Sequence, residues 1–208
     1  MTNRKLKPFV KPLLGSVSLL LIAVIGIIGL NSREIENSDF TYVSKEIFDE
    51  ILPVVSSQND NSIIRPYTND AVKIYSYYYN PDDEADKQEN SIIYYQNTYM
   101  QNSGVDYYSD NQFDVVAILA GTVLDVKEDE TLGTTVEIKH TNNLISVYQG
   151  ITDVKVTKDQ SLNQGDVVGV SHQSKIYSNL KNSLHFEIYH EGKVVDPETF
   201  YDKKIKDL

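Results

Sequence analysis

Residues 183–197 read Ser-Leu-His-Phe-Glu-Ile-Tyr-His-Glu-Gly-Lys-Val-Val-Asp-Pro, and their pattern decides the fold. Leu184, Phe186 and Ile188 alternate with Ser183, His185, Glu187 and Tyr189. Side chains of a strand change faces at every residue, so the first set points into a core and the second presents polar groups. His190-Glu191-Gly192-Lys193 then reads as a hairpin turn. His185, with Ser183 and Glu187 on its own face, fits two roles: metal ligand, or hydrogen-bonded histidine of a sheet surface. The choice separates an enzyme from a binding protein.

Working outward, similar runs recur. Phe113–Leu119, Thr122–Val126, Thr135–Lys139, Leu144–Tyr148, Val154–Val156 and Val167–Val170 read as strands. Asn142-Asn143, Asn163-Gln164-Gly165 and Glu191-Gly192 supply turn residues between some of them. Short strands at such spacing indicate a mainly β chain, an antiparallel sandwich or barrel-like domain. Further back, Ile63–Pro66, Ala71–Tyr79 and Ile92–Tyr95 also have strand character, with Tyr67-Thr68-Asn69-Asp70 as a turn and residues 80–90 as an acidic polar loop. The chain holds 15 tyrosines and no tryptophan, with many of the tyrosines in 75–108. Such a tyrosine surface suits either half-buried strands or an interface.

The N-terminal part is different. Residues 1–12 are basic, and residues 13–30 form an uncharged run of 18 residues. As a helix this run would be roughly 27 Å long, near the thickness of a bilayer core. A cleaved signal peptide is the alternative, but the run exceeds the usual hydrophobic region and no small-residue cleavage site follows. The reading is therefore a single-pass anchor with a cytoplasmic N-terminus and an extracytoplasmic C-terminal domain. Residues 31–62 read as a stalk helix (Asp39–Leu52, stopped by Pro53) and a linker, residues 63–201 as the β-domain, and residues 202–208 as a tail. Arg4, Lys5, Lys7 and Lys11 give residues 1–30 a charge of +4; removing this from the total of −11 leaves −15 on residues 31–208. An acidic domain without a basic stripe argues against nucleic acid as a partner. The absence of cysteine excludes disulfides, thiolate catalysis and sulfur-ligated zinc.

The collinear pieces Gly104-Val105-Asp106, AILAGTV (117–123), TVEIKH (135–140), ISVYQG (145–150), LNQGDVVGV (162–170) and SLHFEIYHEGKVVDPETF (183–200) resemble the LytM/lysostaphin-type zinc endopeptidases. Those enzymes cleave peptide cross-links in peptidoglycan. The resemblance covers about residues 90–201 and implies their LytM (duplicated hybrid motif) β-fold. It also implies a site built from His-x-Gly-x-Asp, Tyr-x-His and His-x-His motifs. Zinc would take the first histidine, the aspartate and the last histidine, while the other two histidines serve catalysis. Here the motifs read Asn102-Ser103-Gly104-Val105-Asp106, Tyr148-Gln149-Gly150 and Ser183-Leu184-His185. By this resemblance one ligand is lost at Asn102 and the catalytic positions are lost at Gly150 and Ser183; only Asp106 and His185 survive. Catalytic zinc needs three protein ligands and an open position, so the expectation is no metal, no cofactor and no hydrolysis. His140, His172 and His190 are the remaining histidines, and rescue of a metal site by His172 or His140 stays open at this point. A Ser183–His185 nucleophile lacks an identifiable orienting group and oxyanion hole.

Within that family, the basic N-terminus, single anchor, short stalk, IIRPY (63–67) and YYQNTY (94–99) resemble the stage II sporulation protein Q group. This implies a non-catalytic scaffold in the forespore membrane, facing the intermembrane space. Its domain would bind a mother-cell ectodomain of the stage III sporulation AH type, through a sheet edge or the old groove, and support engulfment and an intercellular channel. An oligomeric ring and retained peptidoglycan binding are further implications. The alternatives are a degenerate regulator of cell-wall amidases and a weakly active zinc endopeptidase.

Overall fold

A computed structural model of the chain describes residues 61–177 and 179–208. The anchor, the stalk helix and most of the linker lie outside the described residues. Among the described residues, no helix is long and apolar enough to cross a membrane.

The strands, in chain order, are β1 (Lys73–Ser76), β2 (Ile92–Tyr95), β3 (Thr98–Gln101), β4 (Val105–Ser109), β5 (Asp114–Val116), β6 (Gly121–Asp129), β7 (Gly133–Lys139), β8 (Leu144–Thr152), β9 (Ser161–Leu162), β10 (Val167–Ser171), β11 (Asn182–His190) and β12 (Lys193–Val195). Ten of them form one antiparallel sheet in the order β1-β4-β11-β8-β7-β6-β9, with β12 beside β11 and β10 joining both β5 and β8. β2 and β3 form a separate hairpin. The expected mainly β, antiparallel architecture is therefore what the chain adopts. Its main strands share one hydrogen-bonded network, not two separate facing sheets.

β11 is the central element, paired with β4 on one side and β8 on the other. Leu184, Phe186 and Ile188 are fully buried, together with Val105 and Tyr107 of β4, Tyr148 of β8, and Val136 and Ile138 of β7. Burying a large apolar side chain contributes about 1.5–3 kcal/mol, so this face holds the sheet together. The turn after β11 uses Glu191 and Gly192, both at positive φ (51° and 78°). That twist suits a two-residue hairpin, and His190 pairs with Lys193 across it.

Several local expectations change. Ile63–Pro66 is not a strand; Ser62 and Tyr67 make only isolated bridges, to Lys204 and Val115. Val154–Val156 is not a strand either, although Val156 is in the core. The acidic loop contains a short helix, α1 (Ala85–Glu89). Residues 202–208, read as a tail, pack onto the domain: Ile63 N–H donates to the Lys203 carbonyl (2.9 Å), and Ile205 is buried.

Candidate functional site

The polar face of the sheet follows from register. His185 stands opposite Asp106 on β4 and Gln149 on β8; Glu187 stands opposite Val147, which in turn faces Glu137 on β7. Gln149 also faces Thr135. One row therefore runs Asp106–His185–Gln149–Thr135, and the next runs Glu187–Val147–Glu137.

The loop before β4 brings Asn102 to Asp106. Gly104 permits this, because a Cβ there would lie 2.3 Å from the Phe186 carbonyl oxygen. Only glycine lets the loop approach β11 so closely. Asn102 Nδ2 donates to Asp106 Oδ2 (2.7 Å) and lies 3.1 Å from Ser76 Oγ, and its own Oδ1 accepts from Gly104 N–H (3.3 Å). Tyr177 Oη donates to the same Asp106 oxygen at 2.8 Å. Burial first, and then the Asp106 charge, push the Tyr177 hydroxyl far above its ordinary range.

His185 is held between two carboxylates. Its Nδ1 lies 2.9 Å from Asp106 Oδ1 and its Nε2 3.1 Å from Glu187 Oε1. Each contact requires an N–H, so the ring is an imidazolium. Burial opposes that charge, but Asp106 and then Glu187 outweigh it and raise the pKa to about 10. For Glu187, burial pulls upward, while His185, Ser103 and Tyr189 hold the carboxyl below its usual value. Ser103 Oγ donates to Glu187 Oε1.

The other candidates are dispersed. The Ser183 hydroxyl donates to the His172 carbonyl (3.2 Å), which turns it toward main chain and not toward His185. His172 makes backbone bonds to Ser183, and its side chain is exposed. His140 is buried, with Nδ1–H donating to the Ala120 carbonyl (3.0 Å) and Nε2 at 2.7 Å from Ser146 Oγ. Burial lowers its pKa to about 4, so it is neutral. The Ser146 hydroxyl is also 3.2 Å from Tyr148 Oη, which accepts from Ile118 N–H (3.0 Å). Tyr148 is thus a core residue tied to main chain. His190 packs edge-on against Phe200, with ring centroids 5.7 Å apart. Gly150 has φ +77° and occupies the irregularity in β7–β8 pairing, directly over Gly133.

The residues that a zinc ion would need do not fit it as arranged. Asn102 turns its amide N–H toward Asp106, both Asp106 oxygens have hydrogen-bond partners, and both His185 nitrogens face carboxylates. Among the described residues, no group of three or more His, Cys, Asp or Glu side chains is placed to hold a metal ion. Sequence reasoning missed Tyr177, Ser103 and Glu137, which no motif marks. The period-two alternation of TVEIK was the only pointer to Glu137.

The chain matches the family model for Peptidase family M23 over residues 100–197. It is 31% identical over 182 residues to Stage II sporulation protein Q of Bacillus subtilis (strain 168), covering 86% of this chain and 60% of that protein. The chain thus spans about 60% of that relative's length. Among solved structures it is similar to a chain of the SpoIIQ–SpoIIIAH pore forming complex (29% identity, TM-score 0.68, 72% of this chain and 96% of that one). It is also similar to a chain of a second SpoIIIAH and SpoIIQ complex (30% identity, TM-score 0.64, 67% and 99%). A zinc containing peptidase from Vibrio cholerae shares the fold alone (19% identity, TM-score 0.52, 66% and 39%). With the family match lying over the site strands and a 30% identical relative covered almost end to end, the chain belongs to peptidase family M23, as a SpoIIQ-like LytM domain.

Proposed function

We propose that the chain is a non-catalytic, membrane-anchored scaffold of sporulation. Residues 13–30 anchor it, residues 31–62 form the stalk, and the M23-type domain faces outward and binds a SpoIIIAH-type partner ectodomain across the intermembrane space. By this reading the pairing supports engulfment and an intercellular channel. Likeness to chains of two SpoIIQ–SpoIIIAH complexes supports the partner class. The observation that supports the non-catalytic part is Asn102 at the first ligand position, with its amide N–H turned onto Asp106 at 2.7 Å. A neutral amide is a poor replacement for an imidazole ligand, and catalytic zinc needs three protein ligands. Asn102, Gly150 and Ser183 mark the family's lost histidine positions.

The test uses the full chain in detergent. It is titrated with a SpoIIIAH-type ectodomain, assayed for bound zinc, and incubated with muropeptides and with a cell-wall amidase. Saturable partner binding without zinc or cleavage is the expected result. Stoichiometric zinc with cleavage overturns the scaffold reading in favour of an endopeptidase, and amidase stimulation without partner binding overturns it in favour of a regulator. A proline at Glu128, in the part of β6 that runs beyond its pairing with β9, should abolish binding if the partner adds to that sheet edge.

A further inference from the structure

Tyr94 of β2 and Tyr99 of β3 face each other across the separate hairpin and are 55% and 75% exposed. The turn between the strands, Gln96-Asn97, has φ of 47° and 63°. Two consecutive left-handed residues make the tight two-residue turn that fixes hairpin register, so the backbone sets the pairing of the rings. Tyr94 Oη donates to Asn97 Oδ1 (2.8 Å), and the ring centroids lie 4.8 Å apart at an interplanar angle of 41°. Ile93 and Met100, on the opposite face, are buried and half-buried. Cross-strand packing accounts for the inner edges of the two tyrosine rings; at these exposures their outer faces are left to solvent. An aromatic pair held in the open is ordered before any ligand arrives, which favours binding.

The charge beside this pair selects the ligand. Residues 80–101 hold five acids and one lysine, a net −4. That lysine, Lys87, is already engaged: its ammonium is 2.8 Å from Asp83 and 5.8 Å from the centroid of the Tyr77 ring. Asp82, Glu84, Asp86 and Glu89 are exposed and make no ion pair among the described residues. Glu89, the last residue of α1, is five residues before Tyr94, at most about 17 Å of chain. A tyrosine face attracts a cation, and these carboxylates attract the same charge. Sugar rings also stack on tyrosine, but a peptidoglycan strand bears carboxylates of its own, and like charges set against each other repel. An anionic lipid surface is disfavoured on the same ground. We propose that Tyr94 and Tyr99 form a docking face for a basic segment of a polypeptide, whose Arg or Lys side chains lie over the rings and toward the acids before β2. This rests on the partner-binding reading above. It adds the place, outside the ten-stranded sheet, and the chemistry of the partner's segment.

The test titrates the full chain in detergent with an arginine–serine hexapeptide amide and follows the amide resonances of residues 92–101. A glutamate–serine hexapeptide amide is the charge control. Saturable shifts with the arginine peptide, weakened by added salt and absent with the glutamate peptide, are expected. Y99S should weaken the peptide about fivefold or more, and Y99F should restore it. E84Q/E89Q should weaken it while flattening the salt dependence. Equal binding of the glutamate peptide, an unaffected Y99S, or a loss in Y99S that Y99F does not restore would each overturn the proposal. Retention on peptidoglycan sacculi that Y99S abolishes, with no shifts from the arginine peptide, overturns it in favour of a glycan ligand. A SpoIIIAH-type ectodomain run against wild type and Y99S separates the two readings. Ectodomain binding that Y99S leaves unchanged sinks the tyrosine face alone. Peptide binding at the tyrosines without any ectodomain binding sinks the scaffold reading and leaves the face.

Discussion

His185 and His140 are one side chain in two opposite electrical environments. Asp106 and Glu187 hold His185 charged up to about pH 10, whereas burial between Ala120 and Ser146 keeps His140 neutral down to about pH 4. An NMR titration of the imidazole carbons should show neither ring titrating near the ordinary value of 6.5. The linkage signs also oppose each other. The raised value of His185 means that the native state holds the extra proton between pH 6.5 and 10, so stability falls as pH rises through that window. The lowered value of His140 means that the unfolded state holds the extra proton between pH 4 and 6.5, so stability rises with pH there. Urea midpoints measured across pH 7–10 should decline for wild type and flatten for H185Q. Gly150 supplies a second test at this scale. Its φ of +77° costs a side chain about 1–2 kcal/mol, so G150H should lower stability by that amount without gaining activity. The family resemblance put Asp106 and His185 in one site. It did not reveal Tyr177 as a third partner, because the loop carrying it lies 71 residues from Asp106.

At the scale of elements, alternation made β7 and β11 legible, since each has one apolar face and one polar face, while β6 and β8 showed as short apolar runs beside turn residues. β4 was hidden because Val105-Asp106-Tyr107-Tyr108 reads as a site motif followed by aromatics, although Tyr107 is a core residue. Val154 and Val156 look like a strand, but Lys155 N–H bonds the Val168 carbonyl without a continuing ladder. Apolar content there marks burial, not pairing. β11 carries the core between its two neighbours, and Phe186 packs on Tyr148 with centroids 5.1 Å apart. F186A should cost about 3–5 kcal/mol in urea unfolding, with loss of both flanking strand pairings by hydrogen exchange.

At the scale of the molecule, the first and last described segments are joined. Ser62 bridges Lys204, and Asp202 N–H donates to the Ile63 carbonyl (2.9 Å). Arg65 forks onto both oxygens of Glu198 (2.8 and 2.9 Å), and the Tyr107 hydroxyl donates to Oε1 of the same carboxylate (2.7 Å). No short motif announced this clasp, since its members are up to 133 residues apart. E198A leaves the Tyr107 hydroxyl with Tyr201 alone and strips Arg65 of its counter-ion, so a loss of about 1–3 kcal/mol is expected in thermal unfolding. The clasp also has a mechanical meaning. In the proposed arrangement the domain is held between two membranes and is pulled through the segment by which the chain enters it, residues 61–65. Tension arriving there meets the Lys203–Ile205 bonds and the Arg65–Glu198 fork before it reaches any strand of the sheet. In single-molecule pulling from the N-terminal side, E198A should lower the first rupture force and leave the later ones unchanged. On that reading the join takes load before the sheet does.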